Sequence, residues 1–91
     1  MGRLEDKAFR LRDEIDALRR DEAKLAAELA EHRSLHDDGK RDAIVGNADD
    51  RAYWAEIKAD LPRFEKALEK TRERIAKREA DLEKVIEKLS R

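Results

Sequence analysis

The sequence lacks cysteine altogether, has one proline and three glycines, and only 4% of its 91 residues are aromatic. Without cysteine it can form neither disulfides nor thiolate zinc sites, and a reducing, cytoplasmic location is expected. Because it also has few aromatic side chains, a chain of this length cannot build a thick globular core. No apolar run is long enough to span a membrane, and the charged stretch from Met1 to Arg12 does not have the pattern of a signal peptide.

Charged residues are abundant instead, at 49% of the chain, and the two signs nearly cancel to a net charge of −1. Alanine, glutamate, lysine, leucine and arginine dominate, which is the composition of long helices and coiled coils. The near-zero net charge argues against nucleic acid as a partner, because binding to phosphates needs a basic excess. The composition therefore predicts a thin all-α fold without membrane contact.

A heptad pattern runs through both halves of the chain. In the first half, leucines every seven residues alternate with a second series, in the order Leu4, Ala8, Leu11, Ile15, Leu18, Glu22, Leu25, Leu29, His32 and His36. In the second half, the pattern comprises Trp54, Ile57, Leu61, Phe64, Leu68, Thr71, Ile75, Arg78, Leu82, Val85 and Leu89. Two such stripes joined by a connection predict an antiparallel two-helix coiled-coil hairpin.

The expected boundaries make one domain of residues 1–91, with a first helix over about 3–36, a tip loop over about 37–48 and a second helix over about 49–90. Gly39 is the expected stop of the first helix, since glycine ends helices readily. Asn47, Asp49 and Asp50 are candidate N-caps for the second. Pro62 keeps the heptad phase on both sides, which predicts a bend there. The alternative is a break, with Asp60 capping a new helix.

The antiparallel register can also be predicted by matching the two stripes. The best match places Leu18 opposite Leu68, and His32 opposite Trp54. It also allows an ion pair between Glu14 and Arg74. Such exposed pairs select a register more than they stabilise it.

Two features of the connecting region suggest chemistry. His32 and His36 share one helix face, and nearby aspartates make a divalent metal site conceivable, although a polar helix end is the simpler interpretation. No metal or other cofactor is therefore expected. The candidate interaction residues of the tip are five aspartates and one alanine, namely Asp37, Asp38, Asp42, Asp49, Asp50 and Ala52. They can form a binding tip, or a solvated turn with capping aspartates.

The stretch Asn47-Ala48-Asp49-Asp50-Arg51-Ala52 resembles the Asp-x-x-Asp-x-Ala tip motif of DksA-type regulators of RNA polymerase. Asp50 and Ala52 match the second and third motif positions, and Asn47 stands at the first. Gre-type transcript cleavage factors likewise present acidic hairpin tips. The resemblance implies a regulator that acts through its tip inside a channel of a large enzyme.

Several large apolar residues do not fit the stripe or overhang its end, namely Phe9, Leu35, Ile44, Val45, Tyr53, Ile86 and Leu89. A two-helix hairpin gains little stability from one seam. Pairing of two hairpins into a four-helix bundle would bury these leftovers. The chain is therefore expected to form a homodimer or to bind an unidentified protein, with all of these residues except Leu35 as the candidate interface.

Three functions follow from these patterns. The first is a non-enzymatic interaction or assembly module that binds through its helix faces. The second is a regulator that acts through the acidic tip. The third, which the charge balance disfavours, is nucleic-acid binding by a dimer through basic strips, either Arg19, Arg20 and Lys24 or Lys66, Lys70, Arg74, Lys77 and Arg78. An enzyme is not expected, because no nucleophile motif or phosphate-binding glycine loop is present.

Overall fold

The computed structural model, which describes residues 2–91, consists of two long α-helices that pack against each other. Helix α1 spans Arg3–Val45 and helix α2 spans Ala48–Leu89, with no strand in the described residues. Only Gly46 and Asn47 separate them, so the helices run antiparallel as a hairpin. The all-α hairpin predicted from the heptad pattern is confirmed.

The chain divides into two compact units, each built from a piece of both helices. The turn unit is Lys24–Leu68, and the terminal unit comprises the chain up to Ala23 together with Glu69–Arg91. In each unit the predicted stripe forms the seam between the helices. Every stripe residue is buried or partly buried except Leu89, which is 37% exposed.

The seam of the terminal unit is mainly aliphatic. Its buried residues are Leu11, Ile15, Thr71, Ile75 and Val85. The seam of the turn unit buries Leu29, Ile57 and Leu68, but it also contains a buried glycine and four aromatic or imidazole rings that are partly exposed. Neither unit has a large side chain that is completely shielded from solvent among the described residues.

The structure replaces the predicted tip loop with helix. Helix α1 continues past Gly39 to Val45, so the expected stop at Gly39 and the loop over 37–48 are wrong. Gly39 occupies a stripe position and is buried against Trp54. Packing at that position outweighs the roughly 1 kcal/mol by which glycine disfavours a helix. No glycine in the described residues has a positive φ.

The predicted register was wrong by one heptad. Trp54 faces Gly39 rather than His32, and a Cβ placed on Gly39 would lie 3.7 Å from the Trp54 Cβ. In the terminal unit Glu14 pairs with Arg78, at 2.9 Å, rather than with Arg74. The reason is the short connection, which places Gly39 opposite Trp54 because Gly39 precedes Gly46 by as many residues as Trp54 follows Asn47. A shift by a full heptad still leaves every stripe residue on the seam.

Helix α2 continues through Pro62, and the alternative of a break capped by Asp60 is wrong. Proline removes one amide donor and crowds the carbonyl of Lys58. Both residues are exposed, so water can satisfy that carbonyl. The position of Pro62 outside the seam is what allows the helix to tolerate it.

Candidate interaction surfaces

The large apolar residues that lie outside the stripe or at its end are exposed to solvent. In the turn unit these are Leu35, Ile44, Val45 and Tyr53, and in the terminal unit Phe9, Ile86 and Leu89. Val45 is 81% exposed and Ile44 is 76% exposed, the largest fractions of the set. Both lie in the last turn of α1. Exposed apolar residues that occur together are typical of sites that bind another protein.

The turn is fixed by three reciprocal hydrogen bonds between Asn47 and the first turn of α2. The Asn47 side-chain oxygen accepts from the amides of Asp49 and Asp50, at 3.0 Å and 3.1 Å. The Asp50 carboxylate in turn accepts from the Asn47 amide, at 3.2 Å. This is a capping-box arrangement in which Asn47 is the N-cap and Asp50 the third helical residue. Asn47 is therefore the cap among the three candidates.

The five tip aspartates do not form one loop. Asp37, Asp38 and Asp42 lie on helix α1, and Asp49 and Asp50 lie in the first turn of α2. Negative side chains in that first turn are favourable, because the helix dipole is positive there.

The spacing between Asn47 and Asp50 that resembles the tip motif is used by the cap itself. Asp50 points its carboxylate back to Asn47, whereas Ala52 is exposed. A polar residue followed three positions later by an acid is a common helix-start signal. The motif-like residues therefore have a structural role in this chain.

His32 and His36 lie on the seam, but in separate contacts. The His32 ring packs on Phe64 with centroids 4.1 Å apart, and its Nδ1 donates to the Glu28 carbonyl. The His36 ring lies 5.6 Å from Trp54. Because His32 Nδ1 is occupied, only Nε2 remains for a ligand. No group of three possible metal-binding side chains comes together within residues 2–91.

Trp54 is the residue whose environment the sequence did not reveal. Its side chain packs between Gly39, His36 and Lys58, with the Lys58 ammonium 5.0 Å from the ring centre. Its indole N–H is buried without a hydrogen-bond partner. The sequence contained one signal for this environment, because the only tryptophan and a glycine occupy matching positions on the two stripes. That pairing can be recognised only when the correct register is known.

One flank of the turn unit carries an open groove of about 360 Å³. Its walls are formed by Leu25, His32, Asp60, Arg63, Phe64 and Ala67. Ala67 adds a small side chain to its wall, and Asp60 pairs with Arg63 on its own helix, at 3.8 Å. The other flank is crossed by an ion pair between Arg33 and Glu65, at 3.7 Å.

Ion pairs across the seam are more frequent in the terminal unit. They join Arg19 to Glu79, Arg72 to Glu22 and Arg78 to Glu14, at distances of 2.9–3.1 Å. Glu22 and Arg78 are stripe residues whose charged ends reach the rim, as long side chains do at a narrow seam. Polar stripe positions are thereby compatible with the fold.

Comparisons of the chain with protein-family models, with curated proteins and with solved structures give no significant match. In the described residues, neither helix contains a stretch apolar enough to traverse a lipid bilayer. The surfaces themselves are consequently the basis for assigning a function.

Proposed function

We propose that this chain is a non-enzymatic interaction module that binds another protein chain through its helix faces. The observation that carries the proposal is the exposure of its large apolar residues, above all Ile44, Val45 and Tyr53 in the turn unit. Leaving such side chains in water forgoes about 1.5–3 kcal/mol for each one that a partner would bury completely. A cytoplasmic location belongs to the same proposal and rests on the absence of cysteine.

The large accessible surface area of the chain also supports the proposal that it binds a partner. The chain exposes 7105 Å², whereas a compact monomer of 10.6 kDa is expected to expose about 5,500 Å². The excess is about twice the roughly 800 Å² that one partner contributes to an interface of standard size. Association with a second copy or with another helical protein would remove this excess from water.

The grooves of the chain support binding rather than catalysis. A recess in each unit is an open depression beside the seam with charged side chains in its walls. Catalytic groups usually work in pockets that enclose most of a ligand's surface. A partner helix that lays side chains into such a groove fits the geometry better than a small substrate does.

The test compares three forms of the full chain, each immobilised and exposed to an extract of the native host. The first is the wild type and the second carries Ile44→Ser, Val45→Ser and Tyr53→Ser. The third is a control with Ala27→Ser and Ala59→Ser, which changes exposed helix positions without removing large apolar surface. We expect a protein, or the chain itself, to be retained by the wild type and the control and lost from the triple variant.

Retention that is unaffected by the triple variant would contradict binding through these residues. Loss of retention after exchange of Asp42 and Asp49 for alanine alone would instead favour a function of the acidic turn. Circular dichroism of each variant establishes that the helices remain intact.

A further inference from the structure

We propose that two copies of this chain associate antiparallel through the outer face of α2 in the terminal unit. The proposal rests on the proposed function in one respect, since it names a second copy as a partner of the interaction module. It uses a different surface from the apolar residues of the turn unit. The two ideas can therefore fail separately.

The outer face of α2 carries two parallel rows of residues with different charge. The basic row consists of Lys70, Lys77 and Lys84, and the acidic row of Glu73, Ala80 and Glu87. Members of each row are seven residues apart, which is about 10.5 Å along a helix. All six residues are exposed and lie opposite the seam.

The charges in these rows are free, unlike those at the rim of the same seam. Arg72, Arg78 and Glu79 each pair with a residue of α1. None of the ion pairs formed within residues 2–91 involves Lys70, Glu73, Lys84 or Glu87. The intramolecular fold therefore leaves these four charges available to a partner.

An antiparallel second copy of α2 satisfies them all. In one antiparallel register, positions of the basic row share layers with positions of the acidic row of the second copy, as the two core positions of a heptad do in an antiparallel coiled coil. Lys70 then faces Glu87 of the second copy, and Lys84 faces Glu73 of the second copy. Twofold symmetry repeats both pairs. At the centre, Lys77 faces Ala80 of the second copy, where a methyl group leaves room for the lysine stem.

The same pattern disfavours other arrangements. A parallel pair of α2 helices would set lysine against lysine and glutamate against glutamate. A polyanion such as duplex nucleic acid would attract the basic row but would be repelled by the acidic row beside it. A second copy meets little overall repulsion, because each chain carries a net charge of only −1.

Association by exposed ion pairs is weak and depends on salt. Each such pair contributes little to the free energy of association. The screening length is about 3 Å at 1 M salt and about 30 Å at 0.01 M, so the attraction is much weaker at high salt. We therefore expect self-association of the wild type at low salt and high protein concentration. The dissociation constant should rise by about tenfold or more between these two salt concentrations.

The experiment is sedimentation equilibrium of the full chain and three charge variants at about 0.01 M and 1 M salt. The first variant carries Lys70→Glu and Lys84→Glu, which leaves Lys77 as the only basic residue of the two rows. The second carries Glu73→Lys and Glu87→Lys, which leaves no acidic residue in either row. The third combines all four substitutions, which exchanges the charges at the four pairing positions. Glutamate and lysine have similar helix propensities, so the fold should persist in each variant.

We expect dimers at low salt for the wild type and for the four-substitution variant, and monomers for each two-substitution variant. The two monomeric variants should form a mixed dimer when combined. A wild type that stays monomeric at low salt overturns the proposal. A dimer that persists in either two-substitution variant also overturns it. If that dimer is lost when Ile44, Val45 and Tyr53 are exchanged for serine, self-association occurs through the apolar surface instead.

Discussion

The two units of the chain fill the same kind of heptad seam in different ways. The terminal unit buries aliphatic side chains and crosses its rim with three ion pairs between the helices. The turn unit packs the His32 ring against Phe64, the His36 ring against Trp54, and Trp54 against Gly39. A large ring opposite a glycine fills the same space as two medium aliphatic side chains.

The difference teaches that stripe position alone does not define the energetics of a seam. Aliphatic layers gain stability from burial and tolerate local repacking. The Trp54 layer depends on one ring of fixed shape and leaves its indole N–H without a partner, which typically costs about 1–3 kcal/mol. Changes in the turn unit should therefore act through shape, and changes in the terminal unit through buried area and charge.

The largest expected effect comes from truncating one core residue in each unit. Ile75→Ala in the terminal unit and Ile57→Ala in the turn unit each delete a buried side chain, and each should lower the free energy of unfolding by about 2–5 kcal/mol. Amide hydrogen exchange shows where protection is lost. If the units are energetically distinct, each substitution lowers protection mainly in its own unit. Equal loss throughout for both variants would mean that the seam unfolds as one.

The two glycines of the turn unit should respond in opposite directions to alanine. A Cβ on Gly39 would meet Trp54 Cδ1 at 3.5 Å, which is ordinary contact, so Gly39→Ala should stabilise the chain by about 0.5–1 kcal/mol through better helix propensity.

A Cβ on Gly46 would approach the Asp42 carbonyl oxygen to 2.5 Å, so Gly46→Ala should destabilise the turn. Thermal unfolding followed by circular dichroism measures both changes. A lower melting temperature for Gly39→Ala would show that the Trp54 layer tolerates no added atom.

The smallest expected effect concerns the rim of the terminal unit. A double-mutant cycle on Arg19 and Glu79, each changed to alanine, should give a coupling free energy of about 0.2–1 kcal/mol, because both side chains are about half exposed. The same cycle on Arg33 and Glu65, whose separation is 3.7 Å, should give less. Denaturant unfolding at low salt provides the values. A larger coupling in the turn unit would reverse the comparison.

The sequence was sufficient to predict the helical hairpin, the seam residues and the exposed apolar set, because each follows from the heptad period of the two halves of the chain. It did not predict the end of α1, since glycine propensity pointed to a stop at Gly39 while the decisive contact with Trp54 is distant in sequence. The register shared this error, because heptad matching cannot distinguish shifts of seven residues. Only the length of the turn does so, and the capping bond of Asn47 to Asp50 sets that length.

The two-residue connection also constrains how a protein of this design can change its length in evolution. Because Gly39 and Trp54 lie equally far from the turn, each layer is defined by counting outward from Gly46 and Asn47. An insertion of one heptad in one helix alone would keep the stripe on the seam but give every later residue a new partner. To preserve the present pairs, such as Gly39 with Trp54, a heptad gained or lost in α1 must be matched by one in α2.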